Sequence, residues 1–145
     1  MKLISHRGNI DGRVIERENH PDYIIEAINL GYDVEVDVWY LNGEFFLGHD
    51  EPQYNVKFEW LEQWSYRLWI HCKNIYVVQI LKDYPHMHYF WHQEDDITLT
   101  SFNFLWTYPN KELWADSICV LPELNNQEVP NHIHGICSDF IKQYK

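Results

Sequence analysis

Residues 33–50 read DVEVDVWYLNGEFFLGHD, and the alternation in this stretch sets the fold. Extended, it places Val34, Val36 and Val38 on one face and Glu35, Asp37 and Trp39 on the other. The valine face suits packing against helices. Asn42-Gly43 is a strong two-residue hairpin signal, so Glu44 to Leu47 returns antiparallel and ends at Gly48-His49-Asp50. In that register Leu41 opposes Glu44, and continuing it brings His49 beside Val36. Strict pairing would leave His49 on the valine face, so a bulge or the end of pairing at Gly48 is needed to turn the ring inward.

Working outward, Leu3 to Ser5 reads as a buried strand ending at His6-Arg7-Gly8, and Asn9 to Arg17 as a polar loop. Pro21 to Leu30 carries apolar residues at helical spacing, with Gly31 as a stop. Phe58 to Trp64 reads as a short helix, Arg67 to His71 as a strand and Ile75 to Leu81 as a helix. His88 to His92 and Ile97 to Thr100 read as a hairpin across the acidic Gln93–Asp96 turn. Ser117 to Leu121 and Gly135 to Ser138 add short strands. The order of elements predicts an α/β fold around an inner sheet.

The 145 residues suit one domain, 1–145. Seven Trp and ten Tyr supply large buried area per residue to a small core. The formal net charge of −11 argues against nucleic acid as a partner. Three cysteines without a CxxC pair fit a reducing, cytoplasmic setting. No signal-peptide apolar region follows Lys2, and no run reaches the ~18 apolar residues of a membrane span.

Glu35 and Asp37 share one strand face, where two carboxylates repel unless a cation sits between them; hard oxygen donors of this kind suit Mg²⁺ or Ca²⁺. An exposed polar strand face is the plainer alternative. His6 can move a proton near neutral pH, and Arg7 offers a planar fork for phosphate. Two histidines, two carboxylates and an arginine at the ends of neighbouring strands make a phosphodiester site.

Taken together, His6-Arg7-Gly8, Glu18-Asn19, Glu35-Val36-Asp37, Asn42-Gly43 and His49-Asp50 resemble, in order and spacing, the signature of the glycerophosphodiester phosphodiesterase family. Ile136-Cys137-Ser138-Asp139 resembles the family's closing strand more loosely. The resemblance implies a TIM-barrel-like fold and hydrolysis of a small phosphodiester with one divalent metal ion, Mg²⁺ or Ca²⁺. It implies that Glu35 and Asp37 ligate the metal, with Glu18 as a further ligand or support. His6 and His49 would be the acid/base pair, and Arg7 would bind phosphate.

Two departures bear on this. The family's Glu-x-Lys strand reads His71-Cys72-Lys73 here. Lys73 remains to bind substrate; His71 becomes either a nitrogen ligand, shifting preference toward Mn²⁺ or Zn²⁺, or a packed side chain. Glu94, Asp95 and Asp96, or Glu123, are other sources of a third carboxylate, although a solvated acidic turn is the plainer reading of them. The second departure is length: a TIM barrel takes about 250 residues, so the expectation is an α/β, reduced or distorted TIM-barrel-like fold with few helices. Surplus aromatic rings then seal bare barrel faces or form a homo-oligomer interface. Competing readings are a phospholipase of the phosphatidylinositol-cleaving or sphingomyelinase D-like kind, and a phosphate-binding barrel without turnover.

Overall fold

The longest strand, β2 (Asp33–Leu41), has partners along both edges, and the remaining elements are arranged around it. The computed structural model describes residues 1–145. In chain order the elements are β1 (Lys2–His6), α1 (Pro21–Asn29), β2, β3 (Glu44–Leu47), β4 (Tyr54–Val56), α2 (Phe58–Gln63), β5 (Leu68–Cys72), α3 (Ile75–Leu81), β6 (Tyr89–Trp91), β7 (Ile97–Leu99), β8 (Leu105–Thr107), β9 (Ser117–Val120) and β10 (Gly135–Ser138). Short 3-10 turns cover Pro122–Asn125 and Ile141–Tyr144. The sheet order is β4-β3-β2-β1-β10-β9-β8-β7, with β5 also on β2 and β6 beyond β5.

This architecture corrects the expected TIM-barrel-like α/β fold. The sheet is mixed, has ten strands, and curls into a half-barrel with three α-helices, so strands dominate. Chain length is the physical reason. Helix α1 links β1 to β2 and α3 links β5 to β6, but the β8–β9 and β9–β10 crossovers contain no α-helix. The expected hairpin of residues 88–92 with 97–100 is also absent. Instead β6 pairs in parallel with β5, and β7 pairs antiparallel with β8. The β6 and β7 segments touch through bonds outside a ladder: Thr98 Oγ1 donates to Trp91 O at 2.9 Å, and Ser101 N donates to Tyr89 O at 2.8 Å. No helix is long and apolar enough to cross a membrane.

The two faces of β2 are both buried, for different reasons. Val34, Val36 and Val38 pack with Ile24, Ala27 and Ile28 of α1 and Val77 and Leu81 of α3. The opposite face carries Asp33, Glu35 and Asp37 into the curl, each under 4% exposed. The apolar part of that interior is Ile4, Trp69, Phe90, Trp106, Ile118, Val120 and Cys137. Ring centroids stand 5.9 Å apart for Trp69–Trp106 and 4.7 Å for Phe90–Trp106. Large rings thus fill a lumen that the short chain cannot line with many residues. Cys72, Cys119 and Cys137 are free and buried.

The β2–β3 hairpin adopts the register set by its two-residue turn, with Leu41 opposite Glu44 and Val38 opposite Leu47. Asn42 and Gly43 both have positive φ, 51° and 80°, as a type I′ turn requires. Pairing ends after Leu47. Gly48 N then donates to Asp37 O at 3.1 Å, and Trp39 Nε1 donates to Gly48 O. Gly48 has φ 154°, and a Cβ there would stand 2.0 Å from Glu51 O, whereas a Cβ on Gly43 meets nothing within 4 Å. Gly48→Ala is therefore expected to cost about 2–4 kcal/mol and Gly43→Ala only about 1 kcal/mol in urea unfolding. Equal losses would contradict the close approach at Gly48.

His88 lies in the interior near Trp69, stacks on Phe102 at 4.3 Å, and its Nε2 is 2.8 Å from Thr100 Oγ1. Burial pushes its pKa down to about 4. Above the ordinary histidine value of ~6.5 the ring is neutral folded or unfolded. As pH falls below that, the unfolded chain takes up a proton that the folded chain refuses, so stability is lost between about pH 6.5 and 4. Moving from pH 7 to 5 is expected to cost about 1–2 kcal/mol from this ring. His88→Gln should remove that part of the slope in urea midpoints; an unchanged slope would contradict it.

Candidate active site

The three inward acids of β2 form a series from bottom to top of the curl. Asp33 is neutralised by Lys2 and Arg67, each at 3.0 Å, and accepts a hydrogen bond from Trp69 Nε1 at 3.1 Å. That end is a closed structural cluster. Asp37, at the other end, meets Arg7 Nε at 3.0 Å, His71 Nδ1 at 3.1 Å and Lys73 Nζ at 4.0 Å. Asn19 braces it twice, donating from Nδ2 to Oδ2 at 2.9 Å and accepting from Asp37 N at 3.0 Å. Burial opposes the charge on Asp37, but His71, Arg7 and Asn19 outweigh it and hold the carboxyl well below the ordinary range. Glu35, between them, has only looser neighbours: His71 Nδ1 at 3.7 Å and His6 Nε2 at 3.8 Å.

The Asn19 brace follows from topology. Arg7 N donates to Glu35 O, and Gly48 N donates to Asp37 O. Residues two apart address one edge, so β1 and β3 lie on the same edge of β2 and leave a gap between them. The Asn19 amide fills it. Arg7 (φ 57°) and Asn19 (φ 62°) both sit in the left-handed region, and Asn19 N donates to Arg7 O at 3.0 Å. Non-glycine residues in this region are strained and concentrate at functional sites.

His6 closes β1 with Nδ1 at 2.7 Å from Asp139 Oδ1. The carboxylate acceptor fixes the proton on Nδ1 and leaves Nε2 free toward Glu35. Asp139 also accepts from Asn9 Nδ2 at 2.8 Å; burial opposes its charge, but the bonds from His6 and Asn9 lower its pKa. His49 follows the Gly48 break and is half-buried, with Nδ1 2.7 Å from Asp50 Oδ1. His6 and His49 line the same two cavities. The first, of about 260 Å³, is also lined by Arg7, Glu35, His71 and Lys73. The second, of about 430 Å³, includes Arg13, Ile15 and Leu124.

Glu18 stands outside the carboxylate group. Its oxygens take Arg13 Nε at 2.9 Å, Asn9 Nδ2 at 3.1 Å and Arg7 Nη1 at 3.3 Å, so it braces Arg7. Glu94, Asp95 and Asp96 are exposed, and Glu123 accepts from Asp139 N at 2.9 Å. Among the sources considered for a third ligand, His71 is the one that joins Glu35 and Asp37: one donor atom from each lies within 4.8 Å of the others. Sequence reasoning did not single out Asp139, Asn9, His92 or Tyr108 as site residues. Asp139 directly follows the last strand, a position that could have flagged it. Tyr108 gave no such signal.

Buried polar side-chain atoms in folded proteins nearly always have a partner. Here eight do not, and five of those eight belong to residues lining the 260 Å³ cavity: Arg7 Nε, Glu35 Oε2, His71 Nε2, His92 Nδ1 and Tyr108 Oη. A sixth is Asp37 Oδ1. Arg7 Nε and Asp37 Oδ1 keep their ion pairs, and His92 Nδ1 lies 3.6 Å from Asp95 Oδ2, but none of these has an aligned hydrogen bond. Burial opposes a proton on His71, yet Asp37 and Glu35 raise its pKa to about 9, so the ring takes a cation's place between them. Two carboxylates and one imidazole fit a divalent ion of the Mg²⁺, Ca²⁺ or Mn²⁺ kind, with the nitrogen favouring Mn²⁺. No protein-family model, curated protein or solved structure matches the chain.

Adding Mn²⁺ at 100 times its Kd is expected to raise Tm by about 5–10 °C, reversed by EDTA. Glu35→Gln should fold and lose this response. Asp37→Ala should cost about 3–5 kcal/mol, because it takes the closest carboxylate from both Arg7 and His71 and leaves Arg7 with Glu18 alone. A full metal response in Glu35→Gln would refute this ligand set.

Proposed function

We propose that the protein is a metal-dependent phosphodiesterase acting on a small phosphodiester, of the glycerophosphodiester phosphodiesterase type. The observation that carries the reading is the gathering of buried polar atoms without aligned hydrogen bonds around one cavity that also holds an oriented imidazole and two cations. Glu35, Asp37 and His71 would hold one divalent ion. When bound, it supplies charge neutralisation at the phosphoryl oxygens and a lower pKa for an attacking water.

The chain's own groups divide the remaining work. Arg7 and Lys73 are the cations on the cavity wall and bind the phosphate oxygens. Arg7 is kept in place by Glu18 and Asp37, so its position costs little ordering when substrate arrives. His6, with Nδ1 committed to Asp139, presents Nε2 as general base to the attacking water or hydroxyl. His49, with Nδ1 on Asp50, presents Nε2 as general acid to the leaving alkoxide. One P–O bond forms to the attacking oxygen and one breaks to the leaving alcohol. The proton gained by His6 and the proton given by His49 balance.

Hydrolysis of bis(p-nitrophenyl) phosphate with Mn²⁺, Mg²⁺ or Ca²⁺ tests this. The expected outcome is activity abolished by EDTA and lowered ~10²–10⁴-fold in His6→Ala and in His49→Ala. Asp139→Asn should cut kcat through a misoriented His6, with a smaller effect on KM. Metal binding without turnover under all three ions would defeat the hydrolase reading in favour of a phosphate-binding protein.

A further inference from the structure

Tyr108 follows β8, and its ring lies on His92 with centroids 3.7 Å apart at 24°. The side chain lines the 260 Å³ cavity together with Glu35, His71 and Lys73. Its hydroxyl is buried without an aligned partner; the nearby Trp106 indole N–H can only donate to the phenol oxygen, which leaves the phenol's own proton without an acceptor in the protein. A buried tyrosine O–H usually finds an acceptor, since one withheld from water without a partner lowers stability. Burial first, then the charges of Glu35 and Asp37, raise the phenol's pKa and keep it a neutral donor. Packing on His92 fixes the ring plane, so the O–H is presented rather than free to swing away. Lys73 puts a cation on the same wall. A fixed donor beside a cation, in a cavity whose carboxylates suit a metal ion, matches an anion's oxygen.

We propose that Tyr108 is a substrate-binding residue whose O–H donates to a non-bridging oxygen of a phosphoryl group held in the cavity. The inference deepens the phosphodiesterase reading but requires from it only that the ligand is a phosphate. It sets the hydroxyl apart from Trp69 and Phe90, which pack in the apolar interior.

Tyr108→Phe removes one oxygen and keeps the stacked ring. With Mn²⁺ present, inorganic phosphate binding measured by calorimetry is expected to weaken about 10-fold or more. The kcat/KM for bis(p-nitrophenyl) phosphate should fall by a similar factor. The urea midpoint should stay level or rise, because the phenol O–H has no acceptor in the fold; a structural tyrosine would lower it. Unchanged phosphate affinity in Tyr108→Phe, or no phosphate binding by the wild type, overturns the inference. Weakened phosphate binding in a protein without turnover supports Tyr108 while defeating the hydrolase reading. Normal turnover with unchanged phosphate affinity in Tyr108→Phe does the reverse.

Discussion

Three carboxylates on one face of one buried strand are the constraint around which the rest of the molecule is organised. A buried, uncompensated charge is too costly for a domain of this size to tolerate. Asp33 is answered by Lys2, Arg67 and Trp69, from β1, the segment before β5, and β5 itself. Asp37 is answered by Arg7, Asn19 and His71. These compensating groups come from distant points of the sequence, so each also fixes the position of a strand or loop. Glu35 is compensated least, and that shortfall marks the site.

The same economy explains the half-barrel. With three α-helices, the sheet cannot be sheathed by alternating crossovers. On the β2 side, α1 and α3 cover the valine face. Inside, Trp69, Phe90 and Trp106 take up space that longer barrels fill with stacked layers of aliphatic side chains. Rings above them continue toward the site: His71 stacks on Phe90 at 5.0 Å, and Tyr108 on His92 at 3.7 Å. Packing and site are therefore one aromatic column, apolar below and polar above. This lets a short chain place polar groups rigidly, because a ring has few torsions to fix.

Local rules made part of this legible in the sequence. Alternation in residues 33–41 and the Asn42-Gly43 turn specified β2, the hairpin and its register, and they placed Glu35 and Asp37 together. The need to turn His49 off the ladder at Gly48 was legible too, because strict pairing fails there. The fold was not: whether strands close through helices or bare loops depends on long-range packing that periodicity does not encode. Nor was the second rank of the site. Asp139 is 133 residues from His6, and Asn9 and Asn19 act through loop geometry. Tyr108 sits after a three-residue strand too short to leave a pattern.

Replacing a carboxylate by His71 changes the charge balance of the pocket, and this bears on how such a site is kept in a fold without metal. With three acids, the empty cluster would carry three like charges, and Arg7 and Lys73 alone would offset them. With His71 protonated, two carboxylates face three cations: His71, Arg7 and Lys73. The cluster can then fold without its ion. The same proton must leave before His71 can act as a ligand, so the device that stabilises the empty site also weakens its hold on metal. With the ring neutral and a divalent ion between the carboxylates, Arg7 and Lys73 are left with net positive charge on the cavity wall. That surplus suits an anionic ligand.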